Sequence, residues 1–265
     1  VVDSAAATRL SVRRHRRSLL IAAGIAALAL LTAGAWRLFL HDTATPASIE
    51  DALARYRAAA AGETAIPPGV YVYRTSGSES ISALGGTTHR YPARSTITVT
   101  EAPCGMTLRW DVLQNRSNTA TICVTGKRAQ RLESWTESHV FFGQHDETRW
   151  ECRDSPWLVD SSAVGGRMAH ICDGGDATQV GTVDVVGEVP VRVGSIPVET
   201  IHLRLTAQED GAARGPVAEE RWVERETGLP VRITYRVRTS NDSPIGDVTF
   251  TERYDLHLIS LDPRR

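Results

Sequence analysis

Past residue 68 the chain alternates between apolar and polar positions. Met106, Leu108, Trp110 and Val112 are apolar, with Thr107, Arg109 and Asp111 between them. Ile201, Leu203 and Leu205 alternate with His202, Arg204 and Thr206, and Val231, Ile233, Tyr235 and Val237 alternate with Arg232, Thr234 and Arg236. Val248, Phe250, Tyr254, Leu256 and Leu258 form most of one further apolar face. A period of two predicts strands with one buried face. The stretch Val70-Tyr71-Val72-Tyr73 reads as a strand with apolar character on both faces. Gly85-Gly86, Gly165-Gly166, Asp173-Gly174-Gly175-Asp176 and Glu226-Thr227-Gly228 punctuate these runs as turns. The last lies between two strand-like runs, so residues 217–238 read as a hairpin. The register between Cys123 and Cys172 is not legible. The pattern predicts about ten strands, in a curved antiparallel sheet or incomplete barrel.

Before the strands the period changes. Ile49, Ala52, Leu53, Tyr56 and Ala60 fall on one helical stripe. Ser48 stands at the N-cap position with Asp51 three residues on, and Glu50 and Asp51 suit the positive end of the helix dipole. Gly62 is the expected stop. Such a helix packs on a sheet, plugs a hollow or touches a membrane.

Further upstream, residues 19–36 carry no charge and end in Trp36 before Arg37. With Arg37 snorkelling and Leu38 to Leu40 added, the run is long enough to cross a bilayer core of about 20 helical residues. Arg13, Arg14, Arg16 and Arg17 precede it, so the positive-inside rule keeps the N-terminus in the cytoplasm. The chain thus divides into a basic tail (1–18), a transmembrane anchor (19–40), a linker (41–47) and a β-rich domain outside the cell membrane (48–265). Ala33-Gly34-Ala35 also has the form of a signal-peptidase site, so cleavage after Ala35 is the competing reading.

Composition adds the compartment. Cys104, Cys123, Cys152 and Cys172 all follow the anchor, and an even set of cysteines outside the cytoplasm reads as disulfides. Four cysteines allow three pairings. The spacing favours Cys104–Cys123 and Cys152–Cys172, each bridging neighbouring strands. His170 beside Cys172 offers a zinc site as the alternative, but there is no Cys-x-x-Cys pair, so no metal and no cofactor is expected. The net charge is −1, with +4 in residues 1–18 and −5 beyond. That is no footprint for nucleic acid. No Gly-x-Ser-x-Gly, His-Glu-x-x-His or P-loop occurs, and His202 and His257 fall on polar strand faces where solvated histidines are expected. No enzyme is expected.

One helix followed by a long antiparallel sheet resembles the LolA-like superfamily of lipoprotein carriers, lipid-transfer lipoproteins and RseB-type sensor domains. Arg221-Trp222-Val223-Glu224-Arg225, the Glu226-Thr227-Gly228 turn and Leu229-Pro230-Val231 are similar to that superfamily's late hairpin, and Gly69-Val70-Tyr71-Val72-Tyr73 to its early strand. The four cysteines and the anchor are not general marks of the family. The resemblance implies a sheet curved around an apolar hollow. Val70, Val72, Trp110, Tyr235 and Phe250 are the candidates to line it. Two functions follow as expectations: a tethered module binding a lipid or other apolar ligand at the cell envelope, or a sensor or scaffold contacting another envelope protein.

Overall fold

The computed structural model of the protein describes residues 43–59, 62, 64–126, 129–242 and 246–265. The expected anchor lies outside them. No described helix is long and apolar enough to cross a membrane.

Helix α1 (Ile49–Ala58) starts where the pattern placed it, with Asp51 N donating to Ser48 Oγ at 3.0 Å. It ends at Ala58, ahead of Gly62. Among the described residues fourteen strands follow: β1 (Gly69–Ile81), β2 (Thr87–Arg90), β3 (Arg94–Ala102), β4 (Gly105–Leu113), β5 (Arg116–Val124), β6 (Gln130–Phe141), β7 (Gln144–Asp154), β8 (Pro156–Leu158), β9 (Arg167–Asp173), β10 (Ala177–Val193), β11 (Ile196–Gly211), β12 (Ala213–Glu224), β13 (Pro230–Asn241) and β14 (Val248–Leu258). The late hairpin is present as β12–β13.

The sheet is not an open, incomplete barrel. Strand β1 pairs with β14 over nine positions, from Tyr73↔Leu258 to Ile81↔Phe250, and the ring closes with 12 antiparallel strands. Closure comes from the length of β1. Its first half pairs with β3 on one side and its second half with β2, while its other edge holds β14. A closed ring leaves none of its strands as a free edge.

Alternation sorts the side chains. Met106, Leu108, Trp110, Leu203, Leu205, Ile233, Tyr235, Tyr254 and Leu256 point inward and form one core. Outward positions carry ion pairs such as Arg149–Glu151, Arg204–Glu220 and Arg232–Asp255. Helix α1 packs outside the ring on β1 and β3. Its Arg55 reaches Asp111 at 2.8 Å on the outer face of β4. It therefore does not plug the hollow.

Both disulfides have the expected pairing. Cys104–Cys123 ties the β3–β4 turn to β5, and Cys152–Cys172 joins directly opposed residues of β7 and β9. Between Cys152 and Cys172 the chain leaves the ring. There β8 pairs with β6 through Gln130↔Leu158 and Arg131↔Pro156. Trp157, Leu158 and Val159 of this excursion are buried. The unreadable register of this stretch has two visible causes: β8 is only three residues long, and register shifts interrupt the β5–β6, β6–β8 and β7–β9 pairings.

Candidate functional site

The plug is held from the far side of the ring. Trp157 Nε1 donates to Gly228 O at 2.9 Å, and Gln130 Nε2 donates to Thr227 O at 2.7 Å. Both acceptors belong to the β12–β13 turn, across the ring from β6. That turn is built to present them. The Glu224 carboxylate accepts from Glu226 N and Thr227 N at 3.0 and 2.6 Å, and Gly228 adopts φ +80°, a left-handed conformation natural to glycine. A Cβ at Gly228 would also lie 2.3 Å from Gln130 Oε1.

Beneath the plug is a hollow of about 100 Å³. Leu108, Trp110, Trp135, Trp157, Ile233 and Tyr235 supply much of its apolar wall. Its polar groups are Asn118, His170, Gln179, Glu219 and Arg221. Asn118, Ala120, Trp135 and Glu219 line this hollow yet stay only half-buried, as expected beside open space. Arg221 is buried, and its guanidinium lies 3.9 Å over the Trp157 ring. Its Nε donates to Glu219 Oε1 at 2.7 Å and its Nη2 to the same oxygen. Among the described residues its Nη1 has no partner, and Gln179 Nε2 has only the Glu209 carboxyl close by. A buried donor left unmatched costs about 1–3 kcal/mol.

Behind the hollow runs a chain of hydrogen bonds. Ser155 Oγ and His170 Nδ1 are 2.8 Å apart, and His170 Nε2 and Gln179 Oε1 are 2.8 Å apart. Burial holds the His170 pKa below its usual value, so the ring is neutral. Glu209 stands opposite Gln179 across β10–β11. Burial, with the Glu137 carboxylate adding to it, raises Glu209 to about 7. The Gln179 amide pulls the other way from close by, without a well-directed hydrogen bond. Cys172 is committed to Cys152, which leaves no thiolate beside His170 for zinc. Among the described residues no three His, Cys, Asp or Glu side chains are placed to hold a metal ion.

The far half of the lumen holds a charged network. Arg116 is fully buried and grips Glu252 with two bonds, Nε to Oε1 at 3.0 Å and Nη2 to Oε2 at 2.9 Å. Tyr91 also donates to Glu252. Glu79 meets His89 Nδ1 at 3.0 Å and His139 Nδ1 at 2.7 Å. His139 Nε2 faces Glu137, which accepts from Trp150 Nε1 at 3.2 Å. Burial opposes ionisation of Glu79, but its bonds to His139 and His89 overcome it and lower the carboxyl to about 2. Burial and Arg116 push His139 down, yet Glu137 and Glu79 raise it to about 9.

Of the five pocket candidates, Trp110 and Tyr235 line the hollow. Phe250 lies elsewhere, edge-on to His139 at 5.0 Å over the charged network. Val70 and Val72 take the opposite strand face to the core residues Tyr71 and Tyr73, so they point away from the lumen. Apolar on both faces was the right reading of β1, and the tyrosines are its inner face. His202 is not solvated: it is buried, stacked on Trp222 at 4.2 Å and bonded to Glu220 at 3.0 Å. His257 is half-buried beside Asp255.

Arg116, Glu252, His139 and Arg221 escaped the sequence reading, although a signal existed. Glu252 is the missing position in the face Phe250, Tyr254, Leu256, Leu258. Glu219 and Arg221 keep step with Val217 and Val223. A charge in phase with apolar neighbours is an inward charge.

Fold and site together define a closed antiparallel barrel with a plugged, partly polar lumen. No family model, curated protein or solved structure matches the chain.

Proposed function

We propose that this chain is a membrane-anchored, extracytoplasmic barrel that binds a small apolar ligand in its lumen. The hollow under the plug carries this reading. Its wall is aromatic and aliphatic, with a few convergent polar groups, the usual make-up of a ligand site. The two disulfides suit an oxidising compartment outside the membrane. The likeness to LolA-like proteins, taken from the β12–β13 hairpin and the start of β1, suggests an acyl chain. A whole acyl chain is too large for about 100 Å³, so the ligand we propose is compact.

The test is native mass spectrometry of the full chain, taken from its membrane in detergent, before and after solvent extraction. The expected result is an added mass that extraction removes and that Ala120→Phe, which fills the hollow, abolishes. The bare mass of the oxidised chain in all three samples would count against a luminal ligand. The rival reading, an envelope sensor or scaffold docking another protein, would then lead. Its support is the exposed Ile196 at the β10–β11 tip and the exposed Ile259.

A further inference from the structure

The outer wall of the ring carries a charge pattern that the lumen does not explain. Strand β1 changes neighbours along one edge, pairing with β3 up to Arg74 and with β2 from Ser78. Between them Tyr91 to Ala93 cross the gap, tied by Thr75 N to Ala93 O and Tyr91 N to Gly77 O, both at 3.0 Å. An open groove of about 640 Å³ lies there and runs on to β14 and β13.

Three arginines line it. Arg90, Ser78, Arg253 and Arg236 stand in one register row across β2, β1, β14 and β13. At about 4.8 Å per strand the row spans about 14 Å. Each arginine is exposed while its strand neighbour, His89, Tyr254 or Tyr235, is buried, so all three point away from the lumen. Arg236 and Arg253 face each other directly, and like charges so placed destabilise a sheet. Among the described residues no carboxylate pairs with any of the three. Asp255, the carboxylate that lines the groove, is occupied by Arg232 at 3.3 Å and His257 at 3.1 Å. Arg74 and Arg94, also exposed and directly opposed, extend the positive field along β1 and β3.

The row calls for dense negative charge. Ser76, Ser78, Thr88 and Thr234 bring hydroxyl donors to the same groove. A phosphoryl group carries about −1.5 to −2 charge at pH 7 and three acceptor oxygens, and guanidinium forks match it with paired bonds. Two phosphoryl groups would answer all three arginines, where carboxylates would be needed one for each.

We propose that the groove over β1, β2, β13 and β14 is a binding site for a compact ligand with two linked phosphoryl groups, gripped by Arg90, Arg236 and Arg253. The site lies on the outer wall and does not depend on what the lumen holds.

The test uses the full chain in neutral detergent at constant ionic strength, with its arginine side chains labelled with nitrogen-15. Inorganic pyrophosphate is the probe, and tricarballylate, with three carboxylates, is the control for charge alone. Saturable shifts of the Arg90, Arg236 and Arg253 Nε signals report binding. Pyrophosphate should bind at least tenfold tighter than tricarballylate. Arg236→Gln should weaken pyrophosphate at least tenfold and, because it relieves the opposed pair, melt no lower than the wild type. Arg253→Gln should do the same, and serves if the first variant fails to fold. Arg149→Gln, on β7 beside Glu151, should bind as the wild type does. Equal affinity for both probes, or unchanged binding by the two groove variants, would overturn the assignment. So would the absence of any saturable shift. Shifts that appear only when phosphatidylglycerol is added to the micelles would overturn the compact ligand in favour of an anionic lipid surface.

Discussion

At the scale of the residue, the decisive side chains are those whose charge is hidden. Arg116 has 1 % of its surface exposed and stands among Glu252, Glu79 and Glu137. Its bidentate grip on Glu252 offsets part of the cost of taking both ions out of water. Removing one partner of such a pair leaves a buried charge without an answer, which costs about 3–5 kcal/mol. Arg116→Met should therefore lower unfolding stability by about that amount in a urea titration at pH 7. A loss below about 1 kcal/mol, the range of an exposed pair, would show that the network is not a structural tie. The parity of these residues was readable in the sequence, because Glu252 and Arg221 keep step with apolar neighbours. Their partners were not, because Arg116 and Glu252 lie 136 residues apart and no local pattern joins them.

At the scale of the element, the excursion from Asp154 to Arg167 decides what the lumen can hold. Its two ends are stapled by Cys152–Cys172, whose Cα atoms lie 4.1 Å apart with a sequence separation of 20. Closing a loop of that length stabilises by about 3 kcal/mol in the chain-entropy view. Replacing both cysteines by Ala should cost stability of that order and also free the plug. Hydrogen exchange would then quicken at the β8 amides and at the Trp157 indole, while β12–β14 stay protected. Uniform loosening of the whole barrel would instead mean that the staple supports the ring and not the plug. The spacing of the cysteines had suggested this pairing, because each pair is separated by about one strand–turn–strand unit. The plug itself was hidden, since Trp157, Leu158 and Val159 look like any short apolar strand.

At the scale of the molecule, the lumen joins two titrating regions within one fold. His139 is raised to about 9 from 6.5, and Glu209 to about 7 from 4.5. A histidine raised on folding stabilises fully below its unfolded value, and this stabilisation is lost as the pH climbs through the folded one. A carboxyl raised by burial behaves alike: its ionisation opposes folding as the pH passes from 4.5 to 7. Both terms have the same sign, so the melting temperature should fall between pH 6.5 and 9. Glu209→Gln should flatten the Glu209 share of the pH dependence, which lies between about pH 4.5 and 7. A melting temperature that holds or rises between pH 6.5 and 9 would contradict the protonated His139. On the acid side Glu79, lowered to about 2 from 4.5, stabilises above 4.5 and loses its contribution as the pH falls toward 2.

The alternation of residues determined, on its own, that this domain is built of antiparallel strands with one buried face. The helical stripe with its Ser48 cap determined α1, and the cysteine spacing pointed to both staples. These are local properties, written within a few residues of one another. Closure of the ring was decided only in three dimensions, because it depends on β1 meeting β14 from the other end of the chain. The placement of α1 outside the wall, the charges in the lumen and the plug held at Gly228 were decided there too. Each depends on which distant side chains share a space, and a period along one strand carries no information about the strand across the barrel.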